Sequence, residues 1–182
     1  PLAEDRRGHR DARVAGAGCD IVKIGLFDLE TGAAGADRLL DALRAHDDEA
    51  HAFGRRVAVL LADRTNDWDI VDALPSAGFS GVMLDTADKL AGSLFDVASQ
   101  HALGTFLARA RGVGLFAGLA GALRLRHIPD VRVLAPDVAG FRGALCRASD
   151  RTAQIDANAV MAVRAALCGD AADAMAANGH AE

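Results

Sequence analysis

The sequence predicts an α/β fold whose sheet is parallel. Short apolar runs typical of strands alternate along the chain with stretches of helical periodicity, and this alternation indicates successive βα units. The chain has 182 residues, of which 51% are hydrophobic and 25% are charged, as in globular proteins with room for one sizeable core. We therefore expect a single domain.

Five segments have the composition of strands. They lie at residues 19–25, 56–62, 81–84, 115–119 and 138–141. The second segment is a continuous apolar run, which is typical of a parallel strand that is covered on both faces. Trp68, Phe79 and Cys146 are expected to pack in the core around these strands.

Helical periodicity separates the predicted strands. The helical stretches lie at residues 37–53, 70–74, 99–112, 123–127 and 156–167. Asp67 and Ser99 are placed to cap two of them, because short polar side chains accept hydrogen bonds from the first N–H groups of a helix, and Asp156 starts the last one. Pro75 and Gly78 are expected to interrupt or end the second stretch.

The charge pattern and the cysteines exclude several classes of protein. The formal net charge is −5 and no run of Lys or Arg forms a stripe, so no nucleic-acid partner is expected. No apolar stretch approaches the roughly 18 residues that cross a bilayer, and the polar opening is unlike a signal peptide. The three cysteines have neither disulfide nor zinc spacing, which favours the cytoplasm. No metal or organic cofactor is indicated, since His46 and His51 fit a solvated helix face better than a metal site.

Lysine is scarce in this chain. Of the 20 basic residues only Lys23 and Lys89 are lysines, a ratio that a coding bias towards arginine would produce. Lysine, unlike arginine, can lose its proton near neutral pH and act as a nucleophile. The two lysines are therefore either solvated surface residues or candidates for chemistry.

Charged residues follow the ends of the predicted strands. Lys23 lies near the end of the first strand, and Asp63 follows the second. Asp85 follows the third strand, with Lys89 one helical turn later. Because the carboxyl ends of the strands form the active face of parallel α/β barrels, this shared position favours a chemical role for both lysines.

A lysine beside a carboxylate in an apolar mouth suits Schiff-base catalysis, because desolvation and a neighbouring cation make the amine easier to deprotonate. Lys23 is either that neighbouring cation or the partner of a phosphate. Gly118 and Gly121 flank the end of the fourth strand, and Arg142 and Gly143 close the fifth, where barrels commonly hold a phosphate. The spacing alone indicates an aldolase or synthase that acts on a phosphosugar.

Five blocks of the sequence resemble one enzyme family in their order and spacing. Residues 83–89 (MLDTADK) and 93–96 (SLFD) resemble the MLDTA-x-K…LFD signature of the (5-formylfuran-3-yl)methyl phosphate synthases, also called 4-(hydroxymethyl)-2-furancarboxaldehyde-phosphate synthases. Residues 20–26 (DIVKIGL) are similar to the D-x-x-K-x-G-L strand of this family. LAG and HIP within residues 119–129, and GFRGALC and DR within residues 140–151, resemble two further blocks.

The resemblance implies a TIM-barrel-like parallel (βα) repeat, with about five of eight βα units present. We expect residues 1–170 to form this partial barrel and the alanine-rich residues 171–182 to be a frayed tail. Roughly the first three strands of the family have no counterpart here, so we expect the chain to be N-terminally incomplete. Either the chain is a truncated piece of the enzyme, or the missing third comes from another chain, or the product is inactive, and truncation is the simplest interpretation. Assembly into a homo-oligomer is left open.

The resemblance also implies a reaction. The family condenses two molecules of glyceraldehyde 3-phosphate into a phosphorylated furan aldehyde, a precursor of methanofuran-type one-carbon carriers. It implies that Lys89 is the essential lysine, Asp85 the catalytic aspartate and Lys23 a further active-site lysine. We assign the Schiff base to Lys89 as a hypothesis, whereas Asp63 is either an active-site carboxylate or a turn residue. The alternative is an inactive fragment or paralogue that only binds a phosphosugar.

Overall fold

The backbone forms a parallel five-stranded sheet. The computed structural model of the protein describes residues 20–26, 41, 55–64, 68–88, 92–150 and 152–169. The strands are β1 (Ile21–Gly25), β2 (Arg55–Leu61), β3 (Phe79–Asp85), β4 (Phe116–Leu119) and β5 (Val138–Ala139). They are all parallel and neighbour one another in chain order. The predicted α/β class with a parallel sheet is confirmed.

Four α-helices lie among the described residues. They are α1 (Leu94–Val97), α2 (Gln100–Gly112), α3 (Ile128–Leu134) and α4 (Ala157–Cys168). The predicted cap of α2 is confirmed, and Asp156, predicted to start the last helix, caps α4. Ser99 Oγ accepts a hydrogen bond from the Ala102 N–H group at 3.2 Å, and Asp156 Oδ1 accepts one from the Asn158 N–H group at 2.8 Å. Each cap satisfies a backbone donor that has no partner within its helix.

Short 3₁₀ helices replace two of the predicted α-helices. The stretch at residues 70–74 is a 3₁₀ helix, Asp69–Ala73, followed by a second at Pro75–Ala77 that ends at Gly78 in the left-handed conformation. The helix predicted at 123–127 is wrong in its extent, since the 3₁₀ helix Leu125–His127 leads directly into α3. Asp67, the stretch 37–53 and the tail 171–182 lie outside the described residues.

The main core lies between the sheet and the helices. β2, β3 and β4 contribute buried residues that include Leu60, Leu84 and Leu119, and α2 contributes Phe106. The Trp68 ring meets Phe106 edge-on, with 5.5 Å between the ring centroids. The predicted burial of Trp68, Phe79 and Cys146 is confirmed. Within the described part of the chain, no helix has both the length and the apolar character needed to cross a membrane.

The opposite face of the sheet carries a second, smaller apolar cluster. It consists of Val57, Met83 and Ala120, with Phe116 packed against them. Lys23 lies on this face of β1, where alternate residues are exposed. Lys23, Met83 and Ala120 on this face also line a cavity, which is described below.

Candidate functional site

A cavity of about 940 Å³ lies at the carboxyl ends of the strands. It is lined by residues from β1 and β3 and by the loops that follow β4 and β5. Five of the predicted site residues line this cavity: Lys23, Asp85, Gly121, Arg142 and Gly143. The structure thus brings together residues that lie up to 120 positions apart in the sequence.

Lys23 extends from β1 over the second apolar cluster. Its Nζ atom donates a hydrogen bond to Met83 Sδ at 3.4 Å. A thioether sulfur is a weak acceptor, so this contact directs the ammonium group without the strong charge pairing that a carboxylate would give. The amine is therefore held at the cavity.

Asp85 is the last residue of β3, and its side chain is half-buried. Its Oδ1 atom accepts a hydrogen bond from the Thr86 N–H group at 2.8 Å. Gly121 packs against Thr86 with a φ of 113°, and a Cβ atom on Gly121 would lie 2.9 Å from Thr86 Cγ2. Glycine is required here both by the backbone conformation and by the close approach of the two loops.

Asp63 does not line the cavity but holds the loop that follows β3. Its Oδ1 atom accepts a hydrogen bond from the Ala87 N–H group at 2.8 Å, and its Oδ2 atom accepts one from the Asp88 N–H group at 2.9 Å. Partial burial alone would raise the pKa of Asp63, but these backbone donors outweigh it and hold the pKa below its usual value. This geometry fits the turn-residue interpretation of Asp63, while a catalytic role stays a prediction.

Gly118 also lies away from the lining of the cavity. It is buried inside β4 rather than in the loop that follows, and a Cβ atom on it would lie 2.7 Å from Met83 Cε. Its position makes room for the Met83 side chain, and its role in phosphate binding stays a prediction. Lys89 lies outside the described residues.

The sequence analysis gave no site role to several residues that line the cavity, among them Met83 and Arg124. Met83 was quoted only as part of a motif, although the alternation of side chains along β3 puts it on the same face as Asp85. Arg124, on the loop between β4 and α3, adds a second arginine to the lining that contains Arg142. A cation in a glycine-rich loop after a strand is a signal that could have found it.

The thiol of Cys146 supports the loop that carries Arg142. The side chain is buried, and its Sγ atom donates a hydrogen bond to the Arg142 carbonyl oxygen at 3.3 Å. This is the packing role that the sequence predicted. Among the described residues, no three His, Cys, Asp or Glu side chains lie close enough together to hold a metal ion.

His127 joins the loop after β4 to the start of α3. Its Nδ1 atom accepts a hydrogen bond from the Arg124 N–H group at 3.1 Å, and its ring lies 5.4 Å from the Phe95 ring. Burial and the nearby Arg126 lower the pKa of His127 below its usual 6.5, outweighing the carboxylate of Asp96. Protonation of this ring is therefore less favourable in the folded protein than in the unfolded chain.

The free energy of unfolding should fall as the pH drops below about 6.5, the ordinary pKa of histidine. Below this pH, His127 binds a proton in the unfolded chain. In the folded protein it binds the proton less readily, because the pKa of His127 is lowered. Above that pH both states are neutral and this contribution is fully present. Urea titrations should give a smaller free energy of unfolding at pH 5.5 than at pH 7. This difference should be smaller in His127→Gln. His101→Gln, at an exposed position on α2, is the control. An unchanged pH dependence in His127→Gln would contradict the assignment.

Comparisons with known proteins agree with the sequence motifs. A family model described as 4-HFC-P synthase matches residues 4–164. A provisionally named (5-formylfuran-3-yl)methyl phosphate synthase of Methylorubrum extorquens is 41% identical over 164 residues, covering 90% of this chain and 65% of that protein. The (5-formylfuran-3-yl)methyl phosphate synthase of Methanopyrus kandleri is 36% identical over 146 residues, covering 76% of this chain and 60% of that protein.

The same enzyme of Archaeoglobus fulgidus is 31% identical over 158 residues, covering 84% of this chain and 66% of that protein. The chain therefore spans 60 to 66% of the length of these three relatives. Among solved structures, a phosphoribosyl anthranilate isomerase of Thermus thermophilus matches 88% of this chain and 94% of its own, with a TM-score of 0.32 and 16% identity. That likeness is too distant to bear on the fold.

Proposed function

Because the chain belongs to the 4-HFC-P synthase family, we propose that it acts as an enzyme that condenses two molecules of glyceraldehyde 3-phosphate into (5-formylfuran-3-yl)methyl phosphate. The observation that carries this proposal is the cavity at the strand ends, where Lys23 and Asp85 meet Gly121, Arg142 and Gly143. These groups supply an amine, a carboxylate and anion-binding loops, which together suit aldehyde phosphates.

The strand order supports a TIM-barrel-like repeat for this family member. The five strands neighbour one another in chain order, without the reversal that marks doubly wound sheets. In a barrel, every strand lies beside its predecessor, and the active face is formed by the loops at the carboxyl ends. The cavity lies at those ends, which agrees with this proposal.

In the proposed mechanism, Lys89 adds to the carbonyl carbon of one triose phosphate and the adduct loses water to give an iminium ion. Asp85 moves protons between the reacting carbon and oxygen atoms, and Lys23 is the neighbouring cation that favours the neutral form of the attacking amine. The condensation as a whole releases phosphate and water. The loops that carry Gly121, Arg142 and Gly143 bind a substrate phosphate through N–H groups and the guanidinium fork.

Arg142→Gln should raise the KM for glyceraldehyde 3-phosphate by about tenfold to a hundredfold, because it removes a charged donor to phosphate. The effect on kcat should be smaller, since the phosphate is bound in the ground state as well as in the transition state. Steady-state kinetics measure both constants. Arg164→Gln, at an exposed position on α4, is the matched control. An unchanged KM in Arg142→Gln would remove Arg142 from the phosphate site.

The proposal is tested by incubating the full chain with glyceraldehyde 3-phosphate and following the near-ultraviolet absorbance of the furan aldehyde. Borohydride added during turnover should reduce the iminium ion, so that the substrate stays covalently bound to Lys89 while Lys23 is unlabelled. The same cavity, with Gly121, Arg142 and Gly143 in its lining, also fits a second candidate, a phosphosugar-binding protein without turnover. Calorimetric binding of glyceraldehyde 3-phosphate without an absorbance change would support that candidate and overturn the enzyme proposal.

A further inference from the structure

We infer that Met83 is a positioning residue that directs the Lys23 amine into the cavity through its sulfur atom, and that Gly118 makes room for it. The two ends of this contact, Lys23 Nζ and Met83 Sδ, lie 3.4 Å apart, on strands separated by β2. The catalytic meaning of this arrangement rests on the proposed function, whereas the contact itself does not.

The sheet register explains why these two side chains meet. Lys23 of β1 pairs with Val57 of β2, and Met83 of β3 pairs with Val59 of the same strand. Val57 and Val59 lie two residues apart and so share one face of β2. Lys23 and Met83 therefore lie diagonally across that face, within reach of two long, unbranched side chains.

Gly118 fixes the other side of Met83. Met83 is 3% exposed, and a Cβ atom on Gly118 would lie 2.7 Å from Met83 Cε and 3.3 Å from the Val138 carbonyl oxygen. The end of the Met83 side chain thus fills the space that the glycine leaves open. An alanine at position 118 would push the methionine away from β4 and disturb its sulfur contact.

The Met83 sulfur contacts the Lys23 amine without a charge of its own. In the described part of the chain, Lys23 makes no ion pair, and its acceptor is a neutral, weakly accepting thioether. A carboxylate in its place would hold the ammonium proton strongly, and a leucine would fill the same space with no acceptor. Methionine thus orients the amine without the charge pairing that a carboxylate would add.

The test uses the scarcity of lysine. In the full chain carrying Lys89→Arg, Lys23 is the single lysine, and its trace acetylation by acetic anhydride at pH 7.5 is measured by peptide mass mapping. The N-terminal amine of the same molecule is the internal reference. The labelling rate can be measured without turnover. If the chain makes no furan aldehyde, the proposed function is overturned, but the contact between Lys23 and Met83 is still tested.

The labelling rate of Lys23 should follow the strength of the acceptor at position 83. Met83→Glu should slow it about tenfold, since one carboxylate partner shifts a proton equilibrium by about one unit or more. Met83→Gln should slow it less, whereas Met83→Leu should speed it about twofold. Gly118→Ala should behave like Met83→Leu, and Met161→Leu, an exposed methionine on α4, should change nothing.

Two results would overturn the inference. Equal labelling rates in all the Met83 variants would show that the sulfur does not contact the amine in solution. Faster labelling in the leucine and glutamine variants alike would show that Met83 acts through packing alone, because glutamine offers a stronger acceptor than sulfur. Both variants are close to methionine in size, so they keep the test decisive even if Met83→Glu does not fold.

Discussion

Lys89→Arg should abolish turnover of glyceraldehyde 3-phosphate, with a loss of at least about 10³-fold. Arginine keeps the positive charge at this position, so the net charge of the chain does not change. It does not lose its proton near neutral pH, however, and therefore cannot add to a carbonyl carbon. The near-ultraviolet absorbance of the furan aldehyde measures the loss, and circular dichroism verifies that the fold is retained.

Lys23→Arg is the matched variant for this prediction. It keeps the positive charge that the proposed mechanism assigns to Lys23, so it should slow turnover far less than Lys89→Arg, and borohydride should still attach the triose phosphate to Lys89. With two lysines in the chain, mass mapping assigns the label without ambiguity. A Lys89→Arg protein that still turns over would exclude nucleophilic catalysis at this residue, and a label on Lys23 alone would transfer that role to Lys23.

The fold could be predicted from the sequence wherever a buried element has a recognisable pattern of apolar residues. β2 and β3 are covered on both faces, so their continuous apolar runs are recognisable without any structure. The predicted helix ends at residue 127, whereas α3 continues to Leu134. A proline inside a helix breaks it, but Pro129 lies in the first turn of α3, where it removes no helical hydrogen bond. A local pattern does not distinguish these two uses of proline.

The site could be predicted in outline because parallel strands end at one edge. That rule brought Lys23, Asp85 and Arg142 to one cavity. It could not decide whether a carboxylate after a strand faces the cavity or accepts loop N–H groups, as Asp63 does. Nor could it pair Lys23 with Met83, since that contact depends on the register of three strands over 60 positions.

Asp85→Asn should lower kcat by about 10²- to 10⁴-fold while the KM changes little. Asparagine has nearly the same shape, and its Oδ1 atom can still accept the Thr86 N–H group that Asp85 binds at 2.8 Å. What it loses is the charge and the ability to take up a proton. The expected defect is therefore chemical rather than structural.

Steady-state kinetics and thermal unfolding of Asp85→Asn separate these two kinds of defect. A proton-transfer role requires a low kcat with an unchanged melting temperature, and Asp130→Asn, at an exposed position on α3, should change neither. A melting temperature that falls together with kcat would instead make Asp85 a support for the Thr86 loop. That outcome would remove Asp85 from proton transfer, and Asp63 could not replace it in this geometry, because its side chain is already engaged by the backbone of residues 87 and 88.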